Sequence, residues 1–70
     1  MTREEYVQCC KESALALLRD GRLREAVASM MSDMRKRPDC LAPHVINCIG
    51  VIAVSAGDVQ LALAYIDWYI

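Results

Sequence analysis

An all-α fold of about four helices, arranged as two antiparallel helix-turn-helix hairpins, is what this sequence predicts. Three observations carry that expectation. Apolar residues in the first half recur at helical spacing, and no stretch shows the strict alternation of a half-buried strand. The pattern Gly-x-Φ-x-x-Ala also occurs twice, as GRLREA at 21–26 and GDVQLA at 57–62, thirty-six residues apart.

The first helix starts at a capping box. Thr2-Arg3-Glu4-Glu5 places a hydroxyl where it meets the Glu5 amide and a carboxylate where it reaches back. Tyr6, Cys10, Ala14 and Leu17 then share one face, flanked by Val7 and Leu18, with Lys11, Glu12 and Arg19 on the other. This helix is expected to run to about Asp20 and to end at Gly21, a residue free to take the left-handed conformation. The second is expected over about Arg22 to Lys36, with Leu23, Ala26, Val27, Met30, Met31 and Met34 as its apolar stripe. Arg35, Lys36 and Arg37 gather where exposed carbonyls favour cations, and Pro38 stops the helix. PDCLAP makes a short connector, and Pro43 suits the first turn of a third helix over roughly Pro43 to Ala56. That helix is apolar on nearly every side, with Val45, Ile46, Ile49, Val51, Ile52 and Val54. Gly57 ends it, Asp58 can cap the next, and a fourth helix is expected over Val59 to Ile70.

The 70 residues make one domain, 1–70, with hairpins at 3–37 and 43–70. So short a chain buries only about 60% of its unfolded surface. Its hydrophobic fraction is nonetheless 56%, an excess that argues for a covering partner. Charge is uneven: all Lys and Arg lie between Arg3 and Arg37, and from Leu41 onward only Asp58 and Asp67 are charged. The opening MTREEY has no apolar signal core, so Cys9, Cys10, Cys40 and Cys48 are expected to be free, buried thiols in a reducing cytoplasm.

Superimposing the two glycine segments sets Ala14 on Gly50, Leu18 on Val54, Gly21 on Gly57 and Leu23 on Val59. It also sets Ala26 on Ala62, Val27 on Leu63, Met30 on Ile66 and Met34 on Ile70. Ala14, Gly21, Ala26, Gly50, Gly57 and Ala62 are the expected helix-packing residues. The small side chains at 14/50 and 26/62 let antiparallel helices approach where they cross, and Gly21 and Gly57 make the tight turns between them. The spacing Ala14, Gly21, Ala26, Met30, Pro38, repeated as Gly50, Gly57, Ala62, Ile66, resembles the tetratricopeptide repeat. The chain departs from that family in its 36-residue period, in Cys10 and Ile46 where an early aromatic is usual, and in Asp33 where a late alanine is usual. In size and repeat type it is also similar to small type III secretion needle chaperones. That similarity implies a protein that keeps a helical subunit soluble; a phage or bacterial regulator that sequesters a host protein fits equally well. An ordinary four-helix bundle whose two turns use Gly is the other reading of the repeat.

The search for chemistry returns little. Cys40-x-x-x-His44-x-x-x-Cys48 has helical spacing, but a zinc site wants four ligands and no fourth is near in sequence. Cys9 and Cys10 lack a base and an orienting group, His44 being the only histidine. Both glycine motifs end helices rather than follow strands, so neither is a phosphate loop. No enzyme activity and no cofactor are expected. Arg35 to Arg37 could touch phosphates, but the net charge of −1 and the lack of interleaved aromatics argue against nucleic acid. Val45 to Leu63 is interrupted by Ser55, Gly57, Asp58 and Gln60, which argues against a membrane span.

The methionines suit an adaptable surface or simple core filling. Tyr65, Trp68 and Tyr69 crowd the last six residues and belong to types favoured as interface anchors; closing the domain's own core is their other use. The expected function is therefore a cytoplasmic protein-binding module, a chaperone or adaptor covering an amphipathic helix of another protein. Ile49, Ile52, Leu61, Tyr65, Trp68 and Tyr69 are the expected contact residues. The alternatives are a homo-oligomer in which two copies cover each other, and a small regulator touching nucleic acid through Arg35 to Arg37.

Overall fold

The computed structural model describes residues 2–69. The Met34–Ile70 correspondence and the last residue of the expected fourth helix therefore fall partly outside it. Four α-helices follow one another: α1 (Arg3–Arg19), α2 (Leu23–Arg35), α3 (His44–Ala56) and α4 (Val59–Trp68), with a 3-10 turn at Pro38–Cys40 between α2 and α3. The protein is all-α, and no strand occurs among the described residues.

Local chemistry sets each boundary. Thr2 Oγ1 accepts from the Glu5 amide at 3.2 Å, and the Thr2 amide donates to Glu5 Oε1 at 3.1 Å, completing the capping box. That doubly bonded carboxylate is held below its ordinary range, first by the Thr2 backbone amide and then by its hydroxyl. At the other end of α1, Gly21 takes φ 79°. There the Arg22 amide bonds the Leu17 carbonyl at 3.0 Å and the Gly21 amide bonds Leu18 at 3.1 Å, which is a Schellman closure. Thirty-six residues on, Gly57 takes φ 64°, Asp58 bonds Ala53 at 2.9 Å and Gly57 bonds Val54 at 3.3 Å. The two turns have the same structure, bond for bond. Only the second is also capped from a side chain, with Asp58 Oδ1 accepting from the Leu61 amide at 3.1 Å.

Four ends differ slightly from the sequence expectation: α4 stops at Trp68, with Tyr69 already extended, and the other three lie at α2 and α3. α2 gives up Arg22 and Lys36 as caps, and Pro43 stands before α3 as its N-cap rather than inside its first turn. Pro38 both stops α2 and opens the 3-10 turn that buries Cys40.

Each helix pairs with its sequence neighbour, α1 with α2 and α3 with α4. The hairpins then meet through α1 on α4 and through α2 on both α3 and α4, while α1 and α3 have no Cα atoms within 8 Å. Simple translation of one hairpin onto the next would have set those first helices side by side. Polar ties reinforce the arrangement. The Tyr6 hydroxyl donates to the Asp33 carbonyl at 2.6 Å, and Arg37 lies over the Tyr6 ring at 5.2 Å. Lys11 Nζ donates to the Tyr69 carbonyl at 2.8 Å, joining α1 to the end of α4.

The core combines Val7, Cys10 and Ala14 of α1, Ala26, Val27, Met30 and Met34 of α2, and Ala62, Tyr65 and Ile66 of α4, with Tyr69 just beyond α4. α3 contributes only Gly50 and Ala53 as buried residues. Ala14, Ala26 and Ala62 are wholly buried, as close helix approach requires. Gly50 shows the approach most directly. A Cβ there would lie 2.6 Å from Met31 Cε and 3.2 Å from two Tyr65 ring carbons, so the residue sits where α2, α3 and α4 converge. Gly21 and Gly57, counted with the packing residues as well as given the tight turns, take only the turn role. A Cβ at either would meet nothing within 4 Å, and these glycines act through positive φ instead.

Candidate helix-docking groove

The Cα atoms span 32 × 25 × 15 Å, about two helix layers in the thin direction. With only two layers, each helix presents one side outward. On α1 and α2 that side carries most of the charge. α3, by contrast, contains no Asp, Glu, Lys or Arg. Ile46, Ile49 and Val54 pack half-buried against the core, and its other large apolar side chains face out. Val45 is 63% exposed, Val51 56% and Ile52 54%, and Leu41 just before the helix is 63% exposed.

Beside this face runs a shallow groove between α2 and α3, the second helix of one hairpin and the first of the next. One section, about 210 Å³, is bordered by Arg24, Val27, Ala28, Met31, Val51, Val54 and Ser55. The next, about 390 Å³, is bordered by Met31, Arg35, His44, Asn47, Cys48, Val51 and Ile52. Met31 and Val51 belong to both, so the sections form one trough. The α2 border, Arg24, Ala28, Met31 and Arg35, follows i, i+4, i+7, i+11 and is therefore a single helix face. Gly50 lets the Met31 methyl settle low between the helices, which gives the trough a polarizable and adaptable floor.

The expected contact residues divide. Ile52 lines the groove and is exposed. Trp68 is 42% exposed at the end of α4, edge-on to the Tyr69 ring at 5.2 Å, but does not line the groove. Ile49 and Leu61 are half-buried against the core. Tyr65 and Tyr69 are interior residues, 1% exposed each, so neither is available to a partner; of the two uses foreseen for them, core closure is the one observed. Val45, Val51, Met31, Arg24 and Arg35 complete the surface. The one sequence signal for them was the absence of charge along α3.

The thiols are free but not all buried. Cys10 and Cys40 are inside, Cys48 is half-buried at the groove, and Cys9 is exposed, contrary to expectation. Burial first, then the Asp33 carboxylate, pushes the Cys10 thiol above its ordinary value, and burial does the same to Cys40. A nucleophilic cysteine needs the opposite shift. His44 and Cys48, one turn apart, both border the trough, but Cys40 is interior, so the three do not gather at one site. Among the described residues no trio of His, Cys, Asp or Glu is placed to hold a metal ion.

The basic cluster at the end of α2 is also dispersed. Arg37 donates to both Asp39 oxygens, at 3.1 and 3.0 Å, and Lys36 pairs with Asp33 at 3.4 Å. Only Arg35 of the three has no such partner among the described residues, and it faces the groove. No helix among those residues is long and apolar enough to cross a membrane. Comparison with protein-family models, curated proteins and solved structures found no match.

Proposed function

We propose that this protein is a non-catalytic interaction module that holds an amphipathic helix of another protein in the α2–α3 groove, as a chaperone or adaptor does. The observation that carries the reading is α3 itself. It is a helix without charge, and only its small residues Gly50 and Ala53 are fully buried, while Val45, Val51 and Ile52 stay exposed beside an apolar trough. Contiguous apolar surface of this kind marks interaction sites on small proteins. The repeated glycine turns support a tetratricopeptide-like origin for the hairpin unit, and a secretion chaperone is the specific version that resemblance suggests. Free thiols, two of them interior, suit work in the cytoplasm.

The test is an NMR titration of the isotope-labelled protein with a helical peptide that has a leucine stripe and glutamine elsewhere. Amide shifts concentrated at Met31, Cys48, Val51 and Ile52 are expected. Val51→Asp should abolish them while leaving the far-UV circular dichroism unchanged, since the side chain is exposed. Shifts confined to other surfaces, or none at millimolar peptide, would overturn the reading. So would light scattering that shows the protein alone as a dimer with this groove already covered.

A further inference from the structure

The groove is not electrically neutral along its borders, and this points to the kind of helix it takes. We infer that the occupant carries acidic residues at both ends of its apolar stripe, about three turns apart, placed to meet Arg24 and Arg35. The inference rests on the groove reading above and adds the partner's charge and spacing.

Arg24 and Arg35 lie on one face of α2, at either end of the trough. Eleven residues at about 1.5 Å each separate their Cα atoms by roughly 16 Å. Most of the other cations in the molecule are engaged. Arg22 pairs with Glu25, Lys36 with Asp33 and Arg37 with Asp39, while Arg3 and Lys11 donate to backbone carbonyls. Arg24 and Arg35 make no ion pair or hydrogen bond among the described residues, and no carboxylate lines either section of the groove. The result is an apolar trough with an unneutralised positive charge at each end and nothing negative between.

That pattern selects among occupants. Two copies paired groove to groove would set arginine against arginine at both ends, in parallel or antiparallel register. A nucleic-acid backbone would meet the arginines but leave Val51 and Ile52 against phosphates, without an apolar counterpart. A helix lying nearly along α2, with acids at i and i+11 flanking a leucine stripe, satisfies both the charges and the apolar floor. Eleven residues turn about 1100°, within about 20° of three full turns, so both acids stay on one face.

The experiment compares three helical peptides of about 18 residues with the same leucine stripe, long enough to span the three turns. They carry Glu, Gln or Lys at the two flanking positions, and Kd is measured by NMR or fluorescence titration. Two exposed ion pairs predict that the Glu peptide binds about 2- to 30-fold tighter than the Gln peptide at low salt. The Lys peptide should be weaker than both, and the Glu advantage should shrink as added salt shortens the screening distance. Arg24→Gln with Arg35→Gln should equalise the Glu and Gln peptides. Equal binding of Glu and Gln peptides, or tightest binding of the Lys peptide, overturns the charge inference and leaves the groove reading standing. Failure of all three to bind overturns both.

Discussion

The most searching test of the fold concerns two hydroxyls that sequence reading placed at a partner surface. Tyr65 and Tyr69, one helical turn apart, are each 1% exposed, and their hydroxyls lie 3.3 Å apart. Their rings meet edge to face at 5.6 Å and 87°. No buried side-chain nitrogen or oxygen among the described residues lacks a hydrogen-bond partner, and these two rely on each other. Tyr65→Phe keeps the ring and its packing but strands the Tyr69 hydroxyl. A buried polar group left without a partner costs about 1–3 kcal/mol. Tyr69→Phe strands Tyr65 in the same way and should cost a similar amount. Removing both hydroxyls leaves no orphan, so the double variant should lie within about 1 kcal/mol of the parent. The cycle therefore predicts strong non-additivity, with the double variant more stable than either single one.

Urea unfolding followed by far-UV circular dichroism and by Trp68 fluorescence measures this directly. Trp68 lies edge-on to Tyr69, so its emission reports the same corner of the core. Each kcal/mol lost should lower Tm by about 4–8 °C in a domain of this size. Costs that simply add would refute the account, since they would mean each hydroxyl has an independent partner or water. The alkaline limb provides a second reading. Burial first, and then the Tyr69 hydroxyl, raises the Tyr65 phenol above its ordinary value. A raised folded-state pKa means this contribution is complete below the unfolded value of about 10 and is lost as pH rises beyond it. Tyr65→Phe should therefore lose stability less steeply than the parent above about pH 10.

Two further predictions rest on single features. Maleimide at neutral pH should label Cys9 first and Cys48 more slowly, with Cys10 and Cys40 reacting only on unfolding because burial both hides them and raises their thiols; rapid labelling of Cys40 in the native protein would contradict its placement. Gly21→Ala and Gly57→Ala should each cost about 1–2 kcal/mol in denaturant unfolding, because both turns hold positive φ in open space. A neutral result at either would mean its turn adopts another conformation in solution.

What the sequence could reveal follows from the range of the signals. Thr2 and Glu5, Gly21, Gly57 and Asp58 act on backbone groups within a few residues, so their roles could be read directly and the structure agrees. The buried face of α2 was equally plain, because Arg24, Glu25 and Ser32 mark its outer side. α3 offered no such mark. With Val and Ile all round and no charge, its periodicity does not say which side faces inward, and Gly50 and Ala53 as the inner face follow only from what α2 and α4 bring against them. The tyrosines went astray for the same reason: their size suits an interface or a core, and only the short side chains opposite decide. The groove was invisible because its two borders belong to different hairpins. Arg37 looked like surface charge until Tyr6 and Asp39, at the far end of α1 and in the 3-10 turn, took it up.

The small inner face of α3 and its large outer face have one physical cause. Tyr65 reaches from α4 into space that a side chain at residue 50 would occupy, so α3 must come close and bring little. The interior is then filled mainly by α1, α2 and α4, with Ile46, Ile49 and Val54 packed half-buried at its edge. The fold draws little of its burial from the exposed Val45, Val51 and Ile52. Stability alone does not call for them: in an exposed helix position a β-branched residue is a poorer helix former than Lys, Glu or Gln. Exchanging Val51 and Ile52 for such residues should therefore leave the domain folded and at least as soluble. That separates the two things the sequence merged in its apolar second half, a core built on tyrosines and an exposed apolar surface.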